Sequence, residues 1–212
     1  MQVDIIPKTF DQLQSEATPK SVEGGNMEAV AWTIYDTLTY TSAVTTQATF
    51  FTNTRPTPQL SNLSPAGQFP NPQFFRVYSA SLDIGVAPLD IGAAAPTAIR
   101  DVWRILFGSG TAGEGMPSWT FTIANKTYGA FPVSMLHGTG GPQGFGFTTA
   151  AAAGAEWANN SFPDGGYSFA NSILIPPQQA FQVSMAWDAA QTLVADINLR
   201  LSLHGTLYRR IL

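Results

Sequence analysis

Apolar and polar side chains alternate along the C-terminal part of the chain. Phe181, Val183, Met185 and Trp187 are interleaved with Ala180, Gln182, Ser184 and Ala186. The rhythm resumes at Leu193, Ala195, Ile197, Leu199, Leu201 and Leu203, set against Val194, Asp196, Asn198, Arg200, Ser202 and His204. A period of two sends successive side chains to opposite faces of an extended chain, whereas a helix would scatter the leucines and bury Arg200. The segment 188–192 between the runs suits a hairpin loop. Pro176 and Pro177 lack amide hydrogens and close off the run 173–175. Residues 171–212 are therefore predicted to form three consecutive strands, with odd-numbered side chains from Leu193 to Leu203 pointing inward.

The same reading upstream gives a first strand through Val30, Trp32, Ile34 and Leu38, and a second over 47–52. Residues 53–72 hold five prolines and no periodicity, which makes a long surface loop. A third strand spans 74–86, with Phe74, Arg76, Tyr78, Ala80, Leu82, Ile84 and Val86 on one face. Trp103, Ile105 and Phe107 alternate within 99–107, which reads as a strand in preference to a short helix. Trp119, Phe121 and Ile123 with 128–136 form a hairpin around Asn125-Lys126. The glycine-dense stretch from Gly138 to Gly146 begins a long excursion that ends near Gly166. Eight or nine short strands without a long helix imply an all-β, two-sheet antiparallel sandwich or jelly roll over 27–212. Residues 1–26 are polar, end in Gly24-Gly25-Asn26, and read as an N-terminal arm; Thr9 and Gln12 have capping-box spacing for a helical turn or two.

Composition sharpens this picture. Of 212 residues 44 % are hydrophobic and only 11 % charged, well below the roughly 25 % charged of an average soluble protein. Few ions would have to be desolvated if this surface were buried against neighbours. A net charge of −4 gives no general attraction to nucleic acid. Without cysteine there is no disulfide framework or thiolate metal site. The N-terminus lacks the basic and apolar regions of a signal peptide, and no apolar run approaches the length of a membrane span. Cytoplasmic synthesis is expected, with the sequons at Asn62, Asn125 and Asn159 unused.

Candidate chemistry is sparse. His137 and His204 are the only histidines, and neither has a second ligand at metal-site spacing, so structural roles are expected for both. Asp83, Asp90, Asp101, Glu114, Glu156, Asp164, Asp188 and Asp196 could supply a carboxylate pair, but most sit at turn positions. Asp196 is expected to pair with Arg200 or Arg209. A phosphate-binding fingerprint from Gly138 fails because Gln143 stands where glycine is needed. Trp32, Trp103, Trp119 and Trp187 fall on alternating apolar positions and are assigned to the core, leaving Trp157 as the exposed aromatic.

The segment Trp32-Thr-Ile-Tyr-Asp-Thr-Leu-Thr-Tyr40, followed by Phe50-Phe51, resembles the start of jelly-roll structural proteins of tailed bacteriophages. Ile175-Pro-Pro-Gln-Gln-Ala-Phe-Gln-Val183, then Leu199-Arg-Leu-Ser-Leu-His-Gly-Thr-Leu207 with Arg209-Arg210, is similar to their C-terminal strands. The resemblance implies a virion head component without catalytic residues, cofactor or metal: a capsid cement (decoration) protein, or else a jelly-roll major capsid protein. It implies a homo-oligomer such as a trimer, bound to a phage major capsid protein, with no membrane or nucleic-acid partner. Such a protein would be made in the host cytoplasm and reside in the virion. The expected interface residues are Gln2, Ile5, Ile6 and Phe10 in the arm, Phe145, Phe147 and Trp157 in the excursion, and Tyr208, Arg209 and Arg210 in the tail. A carbohydrate-binding sandwich centred on Trp157 and a carboxylate-dependent hydrolase are the competing expectations.

Overall fold

The computed structural model describes residues 27–55, 57–85, 95–108, 114–136, 145–147, 155–157 and 166–210. The expected arm 1–26 lies outside them. Eight strands make two four-stranded antiparallel sheets. Sheet one has the order β1 (Met27–Tyr40), β10 (Ile197–Arg210), β3 (Phe74–Gly85), β8 (Tyr167–Ile175). Sheet two has the order β2 (Gln47–Phe50), β9 (Phe181–Ala186), β4 (Ser118–Ile123), β5 (Lys126–Pro132). Two short strands, β6 (Phe145–Phe147) and β7 (Ala155–Trp157), form a separate ribbon.

Chain order explains the pairing. The first of the eight pairs with the last, β1 with β10, and then β2 with β9, β3 with β8 and β4 with β5. This is one long antiparallel ribbon wrapped over itself, the jelly roll that the alternating pattern implied. Tyr40, Ile197 and Gly85 share one end of sheet one through the pairs Tyr40 with Ile197 and Asn198 with Gly85. Gln47, Ala186, Ser118 and Pro132 share the matching end of sheet two. The described residues 41–46, 114–117, 133–136 and 187–196, which adjoin those strand ends, therefore gather there. The connections 51–73, 124–125 and 176–180 lie at the other.

Between the sheets, Leu199, Leu201 and Leu203 face Trp119, Phe121, Val183 and Met185, and all are fully buried. Each such side chain contributes about 1.5–3 kcal/mol. Tyr167 and Phe169 from sheet one reach Trp119 and Phe121 of sheet two, at ring separations of 5.5 and 6.2 Å. Phe69, from the loop after β2, stacks between Phe75 and Phe181 at 5.6 and 5.8 Å and seals the opposite end.

Four expectations are corrected. First, 188–192 is not a hairpin: β9 belongs to sheet two and β10 to sheet one, so 187–196 crosses between them. Both sheets have inward apolar faces, so alternation alone does not separate a hairpin from a crossover. Leu193 is buried within this connection while Ala195 is exposed.

Second, Ala95–Phe107 is a helix, α1, not a strand. Val102, Ile105 and Leu106 bury one side at helical spacing, and Trp103 stacks on Phe107 one turn on, at 4.7 Å. Third, the inward phase of β3 changes along the strand. Phe75 and Val77 point in, then Ala80 and Leu82, with a register shift between Val77 and Ser79. Phe74 instead stacks on Tyr208 at 4.5 Å. Fourth, Trp32 is 45 % exposed. It keeps the inward phase of Ile34 and Asp36, but β1 has fourteen residues and β2 only four, so the strand outruns its cover.

Candidate functional site

Among the described residues, large exposed apolar side chains are concentrated at the end of the sandwich marked by Tyr40, Gly85, Pro132 and Ala186. Val44, Phe107, Met116, Met135 and Val194 all lie there, with Val44 70 % and Val194 65 % exposed. The scaffold beneath them is tightly tied. Ser42 Oγ donates to Leu193 O and accepts from Leu193 N–H, and Ala43 N donates to Gln191 O, joining the Val44 turn to the Val194 crossover. Asp101 on α1 accepts from Val194 N at 2.8 Å, and Arg104 donates to Thr192 O. Trp187 Nε1 donates to Ile105 O at 2.9 Å while its ring meets Tyr40 edge-on at 5.0 Å. Asp196 accepts from Ser42 N and not from an arginine; Arg209 pairs with Glu28 instead. Polar groups on this end thus hold the loops in place, and the exposed apolar side chains stand among exposed polar ones such as Thr41, Asp188 and Thr192. A fixed apolar crown loses little conformational freedom when covered, which favours association.

The second place is on sheet one, where β1 meets β10. His204 Nδ1 lies 3.0 Å from Thr33 Oγ1 and Nε2 lies 2.9 Å from Ser81 Oγ, so one imidazole joins three strands. Burial lowers its pKa from the usual value, with the Asp83 carboxylate pulling the other way. The Ser81–His204 contact has the spacing of a nucleophile and its base. The third position of a triad, however, is held by the Thr33 hydroxyl, which cannot stabilise an imidazolium as a carboxylate does. Among the described residues no three His, Asp or Glu side chains converge on a possible metal position. An open groove of about 470 Å³ runs beside His204, lined by Ala31, Trp32, Thr33, Asn62 and Gly205.

The expected interface residues are placed unevenly. Gln2, Ile5, Ile6 and Phe10 lie outside the described residues. Phe145 and Trp157 are brought opposite one another across the β6–β7 ribbon, and Phe147 opposite Ala155. Tyr208 is a buried member of β10, where burial raises its pKa, rather than part of a free tail. Arg209 and Arg210 are exposed at the end of that strand.

Sequence reasoning missed the crown because its members come from four separate connections. It missed the Trp32 groove because alternation gives a side chain's phase and not the extent of its cover. Among the described residues no helix is long and apolar enough to cross a membrane. No protein-family model, curated protein or solved structure matches the chain.

Proposed function

We propose that this protein is a virion structural subunit, a capsid cement or decoration protein that forms homo-oligomers and stabilises a phage head. The observation that carries the reading is the crown: Val44, Phe107, Met116, Met135 and Val194 exposed at one end of the sandwich. Apolar residues scattered singly are ordinary on any surface, but several large ones drawn to one end favour a contact site there. The low charge of the chain lowers the cost of covering it. Copies related by a rotation axis would bring the crowns together, and a lasting interface needs to bury roughly 1,000 Å² or more. The jelly-roll order supports the reading only by analogy, because the same architecture serves viral shells and lectins.

Mixing purified protein with empty heads of the phage that encodes it tests the proposal. Co-sedimentation that saturates at a fixed ratio, and that raises the temperature at which the heads rupture, is the expected result. Spontaneous closed shells from the protein alone would instead identify a jelly-roll major capsid protein. Failure to bind heads, together with a monomer at all concentrations, would overturn the assembly reading.

A further inference from the structure

We propose that the N-terminal half of the β1 edge docks an extended segment of another polypeptide, which adds to sheet one as a fifth strand. This stretch lies at the opposite end of β1 from Tyr40 and the crown, and the inference does not depend on assembly there.

The main chain defines the site. β1 is an outer strand of sheet one, paired with β10 along all fourteen residues without a break in register. Toward Tyr40 its other edge is covered. Thr37 N donates to Leu60 O at 2.7 Å, Asp36 bridges to Ser61, and Asn62 accepts from Tyr35 N and donates to Thr33 O. Beyond Asn62 the loop turns inward, with Leu63 buried. Thr33, Tyr35 and Thr37 therefore send their main-chain groups away from β10, and alternation sends those of Ala29 and Ala31 the same way. Among the described residues nothing bonds to these groups, and both alanines are exposed. They present N–H and C=O groups at the spacing that an antiparallel neighbour requires.

The other three sheet edges are guarded, and this one is not. β2 is only four residues long. β5 begins at Lys126, ends at Pro132 and shifts register around Gly129, whose φ is 100°. In β8, Ile173 opposes Val77 but Ser168 opposes Ser79, so 169–172 leave the ladder. Short length, charge, proline and bulges keep sheet edges from pairing. The run Ala29-Val30-Ala31-Trp32 has none of them.

Side chains then specify the segment. Opposite Ala29 and Ala31 it meets methyl groups, which let the main chains approach. Opposite Val30 and Trp32 its side chains point inward beside the indole, which is 45 % exposed because β1 outruns β2. Apolar residues at those positions would cover the ring. The partner is thus an extended segment with apolar residues two apart, its main chain supplying affinity and its alternate side chains selectivity. The open stretch spans about six residues, or about 20 Å. Two folded copies joined over that length alone would fall short of the roughly 1,000 Å² of a lasting interface, which favours a flexible segment over a second copy.

The test titrates ¹⁵N-labelled protein with soluble peptides of pattern Lys-Thr-x-Thr-x-Thr-Lys, where x is Val, Ile, Leu or Phe. Amide shifts confined to 27–33 and slower hydrogen exchange at Ala29 and Ala31 are expected. N-methylation of the peptide threonines, whose N–H groups face β1, should weaken binding about tenfold or more, and N-methylation at x should not. Ala31→Pro removes an outward N–H and leaves the ladder with β10 intact, as edge strands allow, and should weaken binding several-fold. Should that variant fail to fold, the methylated peptides on wild-type protein decide. No shift with any peptide, shifts centred elsewhere, or equal binding of the threonine-methylated form would each overturn the proposal. So would exchange at Ala29 and Ala31 that slows with rising protein concentration in the absence of peptide, which would give the edge to a second copy.

Discussion

Asp36 is the buried charge on which the loop after β2 depends, and replacing it gives a worked test of the fold. Its side chain is 0 % exposed and accepts from Phe51 N at 2.7 Å and from Arg55 Nε at 2.8 Å. Asp36→Ala would leave the Phe51 N–H without its acceptor inside the protein, at a cost of about 1–3 kcal/mol. Arg55 is 20 % exposed, so its guanidinium can recover water. Its loss then resembles the roughly 0–1 kcal/mol of an exposed pair more than the 3–5 kcal/mol of a broken buried one. The sum is about 1–4 kcal/mol. At about 2–4 °C per kcal/mol for a domain of this size, the melting temperature should fall by about 2–16 °C.

Urea unfolding followed by tryptophan fluorescence measures this directly. Asp36→Asn should cost less because one carbonyl oxygen can still accept from Phe51, whereas Arg55→Ala should cost at least as much as Asp36→Ala, because it leaves a fully buried carboxylate without its counter-ion. A change under about 0.5 kcal/mol for Asp36→Ala would refute the reasoning. So would an Arg55→Ala loss well below the Asp36→Ala loss, since the buried carboxylate would then be tolerated without its counter-ion.

Three further outcomes are expected. A Cβ added at Gly205 would sit 1.9 Å from the Arg76 carbonyl oxygen and 3.0 Å from Phe75 Cζ, so β3 and β10 would have to part. Gly205→Ala should therefore cost about 3 kcal/mol, at the upper end of overpacking effects, and a melting temperature within 2 °C of wild type, about the shift of 0.5–1 kcal/mol, would contradict it. Tyr40→Phe removes the acceptor of Gln191 N at 2.7 Å; a loss of about 1–3 kcal/mol in chemical denaturation is expected, and no loss would show that the amide finds another partner. His204 is held below its usual pKa by burial. As the pH falls, the unfolded chain takes up this proton before the fold does, so stability drops from about pH 6.5 until the folded imidazole itself protonates. His204→Gln should remove that part of the dependence, which thermal melts of both proteins at pH 7.5 and 5 would reveal; parallel losses would refute it.

What the sequence made legible follows from which physical signals are local. The odd-numbered leucines of β10 announced a strand with one buried face, and Leu199, Leu201 and Leu203 are buried as that pattern requires. The hairpin expected around Asn125-Lys126 was readable because its strands pair with each other, but its turn is Ala124-Asn125 and its second strand ends at Pro132, with Val133–Leu136 a 3-10 helix. The sheet to which a strand belongs was not readable, because β9 and β10 bury their apolar faces in the same core from opposite sides. Helix α1 was misread because Trp103, Ile105 and Phe107 satisfy a period of two, while Val102, Ile105 and Leu106 satisfy the helical spacing that packing selects. Gly205 carries no sign in the sequence of the carbonyl pressed against it. Neither candidate site could be read ahead of the topology. The crown is assembled from four connections distant in sequence, and the groove joins Asn62 to His204.

The account rests on the crown as a surface made to be covered, and sedimentation velocity across a range of protein concentrations tests that most directly. The wild-type protein should sediment as a discrete oligomer, and a variant carrying Val44→Ser, Met116→Ser and Val194→Ser should sediment as a monomer with an unchanged melting transition. Identical sedimentation of the two, whether both monomeric or both oligomeric, would contradict it.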